Sequence, residues 1–347
     1  MNWTETLLNW YEENRRDFPW RKTREPYHIW LSEIILQQTR TAQGLPYFES
    51  FLTHFPTVFD LAAAEEVKVL KLWQGLGYYS RARNLHASAK WIVQENKGVF
   101  PKDFNSLLQL KGVGDYTASA ISSICYDEPQ AVVDGNVYRF LSRYFGISTP
   151  IDASSALKTF KAKATELMKG YSPNLFNQAV MEFGALQCTP KQAQCSSCPF
   201  STNCFAFQHK QVYAFPFKAN RTKVRKRYFN YLVLKTPSGK TLAQQRKTKG
   251  IWQNLYEFPL LESKALATQK QLLAHEGFPL TWKAKMKRLL ALNETPVKHL
   301  LSHQQLFICF WELQLSQEVQ GTITLDELET LPVPVVIQHF IDNHSWG

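Results

Sequence analysis

Residues 107–121 read LLQLKGVGDYTASAI. Two short amphipathic segments flank Gly112-Val113-Gly114, and glycines in so tight a turn permit backbone conformations that a side chain opposes. The pattern is a hairpin between two helices, and the amides that open the second helix then face outward, ready for a phosphate. The plainer alternative is a helix corner with no ligand. Twenty residues further on, AVVDGNVYRFLSR (131–143) sets Asp134 between a short apolar run and a new helix. An aspartate there is placed as an N-cap, accepting from the amides of Asn136 or Val137. Apolar residues at three and four spacings extend this helical pattern from Thr4 to about Phe207, with breaks expected at Pro19, Pro26, Pro46, Pro56, Pro101 and Pro173.

Four of the six cysteines, Cys188, Cys195, Cys198 and Cys204, fall within seventeen residues at the spacing C-x6-C-x2-C-x5-C. Four thiolates in one loop can enclose one metal centre. Structural zinc more often uses two C-x-x-C pairs, and this loop has one, so zinc is the second reading of the site. Cys125 and Cys309 stand alone in apolar runs and read as buried thiols, which argues against a disulfide framework. Lysine and arginine outnumber the acids by 40 to 29, and the resulting +11 favours a polyanionic partner over an acidic protein surface. No run of about 18 apolar residues exists, and the opening MNWTETLLNWYEENRRDFPW lacks the order of a secretion signal. An intracellular, cytoplasmic protein without membrane contact is expected.

Beyond Phe207 the texture changes. RTKVRKR (221–227) has five basic residues in seven and follows Pro216, as a linker with its own affinity for phosphate would, or as a solvated charge run. YFNYLVLK (228–235), the turn Pro237-Ser238-Gly239, KTLAQQR (240–246) and LFICFWEL (306–313) favour strands, so the second part is α+β. A chain of 347 residues exceeds one domain. The division expected is a helical domain over 1–215, a basic linker over 216–227 and a second domain over 228–347.

The Gly-x-Gly hairpin followed by Asp134 resembles the helix-hairpin-helix DNA glycosylase superfamily, in which that aspartate faces the sugar of a flipped nucleotide. The cysteine spacing is similar to the [4Fe-4S] loop of its endonuclease III and MutY branches. PYHIWLSEIILQQT (26–39) is closely similar to the MutY segment that holds a catalytic glutamate. Trp30, Leu31, Ile34 and Ile35 form an apolar stripe there, leaving Glu33 and Gln37 one turn apart on another face. GIWQNLYEFP (250–259) and the LSH of HLLSHQQLF (299–307) look like the Nudix-like domain of the same family. The resemblance implies an all-α helix-hairpin-helix domain with one [4Fe-4S] cluster on the four cysteines, followed by an α+β Nudix-like domain. It further implies excision of adenine from A:8-oxoguanine or A:G mispairs in double-stranded DNA. A monomer is expected, since one damaged site has no two-fold symmetry.

Bifunctional members of the superfamily carry a lysine two residues after the second hairpin glycine, to form a Schiff base with the sugar. Tyr116 holds that position here, so base removal by water, without strand cleavage, is expected. The resemblance assigns Glu33 the protonation of adenine N7, and Asp134 the stabilisation of, or transient attack on, an oxocarbenium-like sugar. Tyr116 and Asn136 then line the pocket, and Gly112, Val113 and Gly114 hold a phosphate. In GLGYYSRARNL (75–85), Tyr78 is the wedge into the base stack, with Gln37 beside the flipped site. Ser302 and His303 read 8-oxoguanine, with Leu301 standing where the family often has phenylalanine; as plain loop residues they would do neither. Residues 257–280 lack arginine and paired glutamates, so the magnesium-dependent hydrolysis of nucleotides by Nudix enzymes is not expected. The competing readings are a bifunctional endonuclease III-like enzyme for oxidised pyrimidines and a non-catalytic sensor of damaged DNA.

Overall fold

The computed structural model describes residues 2–220 and 224–346, so that Arg221, Thr222 and Lys223 of the basic run lie outside the described residues. Its contacts divide the chain into two compact units. One comprises Met1–Ala63 and Asn84–Arg221, the other Ala64–Arg83 and Thr222–Gly347. The segment 64–83, which the expected division assigned to the helical domain, groups by contact with the C-terminal part.

Helices in chain order are α1 (Trp3–Asn14), α2 (Pro26–Leu36), α3 (Thr41–His54), α4 (Val58–Ala63), α5 (Glu66–Leu72), α6 (Ser80–Asn96), α7 (Phe104–Leu107), α8 (Asp115–Tyr126), α9 (Gly135–Phe145), α10 (Ala156–Met168), α11 (Pro173–Leu186) and α12 (Phe205–Gln208). Pro26 and Pro173 start their helices, where a missing N–H would have no partner anyway. Pro46 does not break the chain as expected: α3 runs through it and gives up one backbone bond. The pairs α2 with α8, α8 with α11 and α9 with α11 form the frame. Trp30, Phe48, Phe51, Phe160, Phe176 and Phe183 fill it, none of them more than 1% exposed.

The hairpin forms, with a shorter first arm than the sequence suggests. Helix α7 has four residues and is capped by Asp103, which accepts from the Ser106 amide at 2.9 Å. Gly112 has φ +82°, the left-handed region that favours glycine. Gly114 is extended, with φ −102° and ψ −174°, and a Cβ there would meet nothing. Only the first glycine answers to a backbone demand.

Asn177 on α11 fixes the chain that leads to Asp134. Its Oδ1 accepts from the Val132 amide at 3.0 Å, and its Nδ2 donates to the Gln130 carbonyl at 2.7 Å and to Ser123 Oγ at 2.8 Å. The side chain is fully buried.

The second unit holds a mixed sheet. Its strands are β1 (Arg225–Lys235), β2 (Gln244–Gln245), β3 (Tyr256–Glu257), β4 (Leu260–Ser263), β5 (Met286–Ala291), β6 (Val297–Leu300) and β7 (Gln304–Leu315). In the five-stranded mixed sheet the order is β4-β1-β7-β5, with β6 also on β7, and β2 and β3 form a separate two-stranded sheet; β1 and β7 are parallel and every other pair antiparallel. Helices α13 (Gln269–Leu273), α14 (Leu280–Lys285), α15 (Leu325–Thr330) and α16 (Val335–Asn343) complete it. Arg225 to Arg227, expected in the linker, are the first residues of β1. KTLAQQR contributes only Gln244–Gln245 and a bridge from Thr241 to Ile323. Cys125 and Cys309 are half-buried, not buried as expected; Cys309 of β7 packs against the core cluster that holds Trp311, Leu313 and Leu315. No helix among the described residues is long and apolar enough to cross a membrane.

Replacing Asn177 by alanine leaves a buried amide and a buried carbonyl without partners, each costing about 1–3 kcal/mol. The urea midpoint of unfolding should fall by the equivalent of about 3 kcal/mol; an unchanged midpoint would remove Asn177 as the clamp.

Candidate active site

Helices α2, α8 and α11 and the start of α9 enclose a cavity of about 180 Å³. Glu33, Tyr116, Asp134 and Asn136, the residues chosen from the sequence, all line it. A wider cleft shares these walls and adds Gln37, Gly114 and Arg139.

The stripe expected on α2 is not what places Glu33. Every residue from Ile29 to Ile35 is buried, so the helix has little sidedness, and Glu33 faces a cavity inside the protein. Gln37 lies just past the end of α2, where its Nε2 donates to the Gly112 carbonyl at 3.4 Å and to Thr117 Oγ1 at 3.2 Å. It thereby ties α2 to the hairpin.

Asp134 caps α9 as expected. Oδ1 accepts from the amides of Asn136 and Val137, each at 2.8 Å, and Oδ2 from Asn136 Nδ2 at 2.8 Å. Burial raises its pKa, and these same donors pull it down. Glu33 has less help. Burial pushes it up to about 7; the Tyr116 hydroxyl and Arg21 oppose that, and Asp134 adds to it. Tyr116 Oη lies 3.3 Å from Met181 Sδ. A thioether only accepts, so Tyr116 can donate to Met181 while its oxygen accepts a hydrogen bond from a neutral Glu33.

Three wall residues escaped the sequence analysis. Glu182 on α11 is 1% exposed and accepts from Arg16 Nη2 at 2.6 Å and from Arg21 Nη2 at 2.8 Å. Burial pushes its carboxyl up, but the two guanidinium groups more than reverse this and hold it at about 2. The one signal was a glutamate inside the apolar run MEFGAL (181–186); its partners lie more than 160 residues away.

The four loop cysteines line one small cavity with Phe140, Phe183 and Phe200. Burial raises the thiols of Cys195, Cys204 and Cys198, the last to about 12, so thiolates there need a cation to compensate them. Beside them the Thr189 hydroxyl is buried without a hydrogen-bond partner. Among the described residues no three His, Cys, Asp or Glu side chains draw together as the ligands of a single ion would. Four thiols around one cavity are a donor set that fits a thiolate-bound metal group.

Within the second unit, Leu301, Ser302 and His303 form the tip between β6 and β7. The Leu301 amide donates to the Gln304 carbonyl at 2.8 Å, and the Arg225 amide to the His303 carbonyl at 2.9 Å. Tyr78 belongs to the same unit, and its hydroxyl shares a hydrogen bond with that of Ser302. Tyr78, Trp252 and the 300–304 tip line a groove of about 670 Å³.

The raised Glu33 has a thermodynamic sign. Its proton is held more tightly in the folded than in the unfolded chain, so stability is full below pH 4.5 and falls as pH rises to about 7, by about 3 kcal/mol. Glu33→Gln should therefore be more stable than the parent at pH 8, with the gain vanishing near pH 4 in urea titrations. A gain independent of pH would contradict the assignment.

Comparison with known proteins agrees with this geometry. The family described as "HhH-GPD superfamily base excision DNA repair protein" matches residues 31–165, and the NUDIX domain family matches residues 230–343. The adenine DNA glycosylase of Buchnera aphidicola subsp. Schizaphis graminum is 35% identical, over 75% of this chain and 75% of its own. That of Rattus norvegicus is 33% identical, over 92% of this chain and 72% of its own. Among solved structures, a thermostable thymine-DNA glycosylase superposes with a TM-score of 0.56 at 29% identity, covering 59% of this chain and 95% of that one. With the buried glutamate and capped aspartate in one cavity, these relatives show that the chain belongs to the adenine DNA glycosylases, base-excision repair enzymes that act on N-glycosyl bonds.

Proposed function

We propose that the enzyme removes adenine paired with 8-oxoguanine or guanine in duplex DNA, using water and leaving the strand uncut. The observation that carries this reading is the pairing, in one cavity, of a carboxyl neutral up to about pH 7 with a second carboxyl that accepts three hydrogen bonds. Two carboxyl groups in different environments divide acid and anion roles between them.

Adenine leaves poorly as an anion. Glu33, protonated near neutral pH, gives its proton to the ring nitrogen N7 as the glycosidic bond breaks, which is worth about 10²- to 10⁴-fold in rate. The sugar then carries positive charge beside Asp134, whose ionised form stabilises it or attacks it transiently. Water completes the substitution at the sugar carbon. Tyr116 stands where bifunctional relatives need a lysine, so no amine is at hand to cleave the strand. Asn136 orients Asp134 through their 2.8 Å bond. Gly112, Val113 and Gly114 with the first amides of α8 are the phosphate seat, and Gln37 sits against it through the Gly112 carbonyl.

In the second unit Tyr78 is the wedge, and Ser302 with His303 reads the base opposite the adenine. Cys188, Cys195, Cys198 and Cys204 would hold a [4Fe-4S] cluster. When bound, it cross-links the loop that follows α11, and no step of excision runs through it.

Single-turnover cleavage of labelled duplexes tests the reading. The adenine strand should break only after alkali, opposite 8-oxoguanine and guanine and not opposite thymine. Breakage without alkali at an oxidised pyrimidine would instead favour the endonuclease III-like reading. The rate should fall as pH rises through about 7, where Glu33 loses its proton. Glu33→Gln should slow excision by about 10²-fold or more while sparing DNA binding; an unchanged rate would take Glu33 out of the chemistry. Ser302→Ala with His303→Ala should narrow the preference for 8-oxoguanine over guanine, and an unaltered ratio would place that recognition elsewhere.

A further inference from the structure

Helix α9 carries two arginines one turn apart, both facing the cysteine loop, and they make different contacts. Arg139 donates from Nε to the Cys188 carbonyl at 2.7 Å and from Nη2 to Asn136 Oδ1 at 2.8 Å. Arg143 reaches a sulfur: its Nη1 lies 3.4 Å from Cys188 Sγ and also donates to the Thr189 carbonyl at 2.7 Å. Further bonds run from Nε to the Phe215 carbonyl at 3.3 Å and from Nη2 to the Pro190 carbonyl at 3.4 Å.

Arg143 is only 2% exposed, and among the described residues no carboxylate forms an ion pair with it. A guanidinium so far from water is unfavourable unless negative charge faces it, and carbonyl dipoles supply only part of that. The groups beside it that can carry a full negative charge are the cysteine sulfurs. Arginine suits the place because it never loses its proton and its planar fork reaches sulfur and carbonyls together.

We propose that Arg143 is a positioning residue that sets the reduction potential of the iron–sulfur cluster through a charged hydrogen bond to the Cys188 sulfur. This rests on the cluster reading of the loop. Adding an electron makes a cluster more negative, and a fixed cation bonded to a ligand sulfur stabilises that state, raising the potential. A simple loop clasp would use the same carbonyl bonds and leave the potential alone.

The test uses the full-length protein as purified and three measurements. Iron content and visible absorbance come first: parent protein without iron overturns the cluster reading and the proposal with it. On iron-loaded protein, the midpoint potential of Arg143→Gln should shift negative from the parent, with Arg143→Lys, which keeps the charge, lying between them. Equal potentials in iron-loaded parent and Arg143→Gln overturn the proposal and leave the cluster standing. Should Arg143→Gln hold no iron, the iron–sulfur stretching bands of parent and Arg143→Lys in light and heavy water decide. A smaller isotope shift in Arg143→Lys supports the bond, and an identical shift overturns it.

Discussion

Helix α9 begins at the Asp134 carboxylate, one oxygen of which accepts the Asn136 and Val137 amides at 2.8 Å each. A helix start must satisfy its first amides, and here the residue that does so is also the one proposed to face the sugar. The rest of the helical unit hangs on that cap. Upstream, Asn177 holds the run from Gln130 to Val132 so that the cap arrives in place. Downstream, Asn136 joins Asp134 to Arg139, and Arg139 reaches the Cys188 carbonyl one turn further. Across the helix, a Cβ on Gly184 of α11 would stand 2.7 Å from the Asn136 carbonyl, so α9 and α11 approach as closely as a glycine allows. The Asp134 carboxylate and the cysteine loop are thus joined through side chains of one helix.

Burial pushes all three carboxyl groups of the cavity upward, and their partners set them apart. Glu182 has two guanidinium partners and stays ionised to about pH 2; Glu33, with a tyrosine hydroxyl and a more distant arginine, is pushed to about 7. Asp134 is raised by burial, while the three donors bonded to it pull it down. Partners, more than depth, decide which carboxyl can carry a proton at neutral pH. The ion pairs of Glu182 also keep Arg21 at the cavity wall, where its charge limits how far Glu33 rises.

What the sequence revealed and what it concealed follows the range of the interactions. The Asp134 cap, the left-handed Gly112 and the cysteine spacing each depend on a few consecutive residues, and each stands where the sequence suggested. Glu182, Arg16, Arg21 and Asn177 act across 45 to 166 residues, and no local pattern marks such a pair. Helix α2 misled for another reason: a helix buried on all sides has no period to read, so Glu33 was set on a face apart from an apolar stripe when it lines a cavity among buried neighbours. In the second unit, long β1 and β7 were legible from their runs of aromatic and branched residues, while two- to six-residue strands such as β3 and β5 take their form from the neighbours they pair with.

Tyr78 shows how the second unit fits the proposed task. Its φ of +46° is one a tyrosine rarely adopts, and it follows Gly75 and Gly77, whose φ angles are also positive. Strain of this kind costs about 1–3 kcal/mol and persists only where the surroundings hold it. They do so here: Trp73 Nε1 donates to the Gly77 carbonyl at 3.0 Å, and Arg81 Nη2 to the carbonyls of Leu76 and Gly77 at 3.2 and 3.1 Å. The result is a ring 46% exposed, with its hydroxyl on Ser302. A wedge must displace a stacked base at a cost of a few kcal/mol, and a ring already fixed outward loses little freedom in doing so. The proposed wedge and the proposed reading tip thus share a hydrogen bond within one unit, so the tip that meets the opposite base also helps to hold the ring in place.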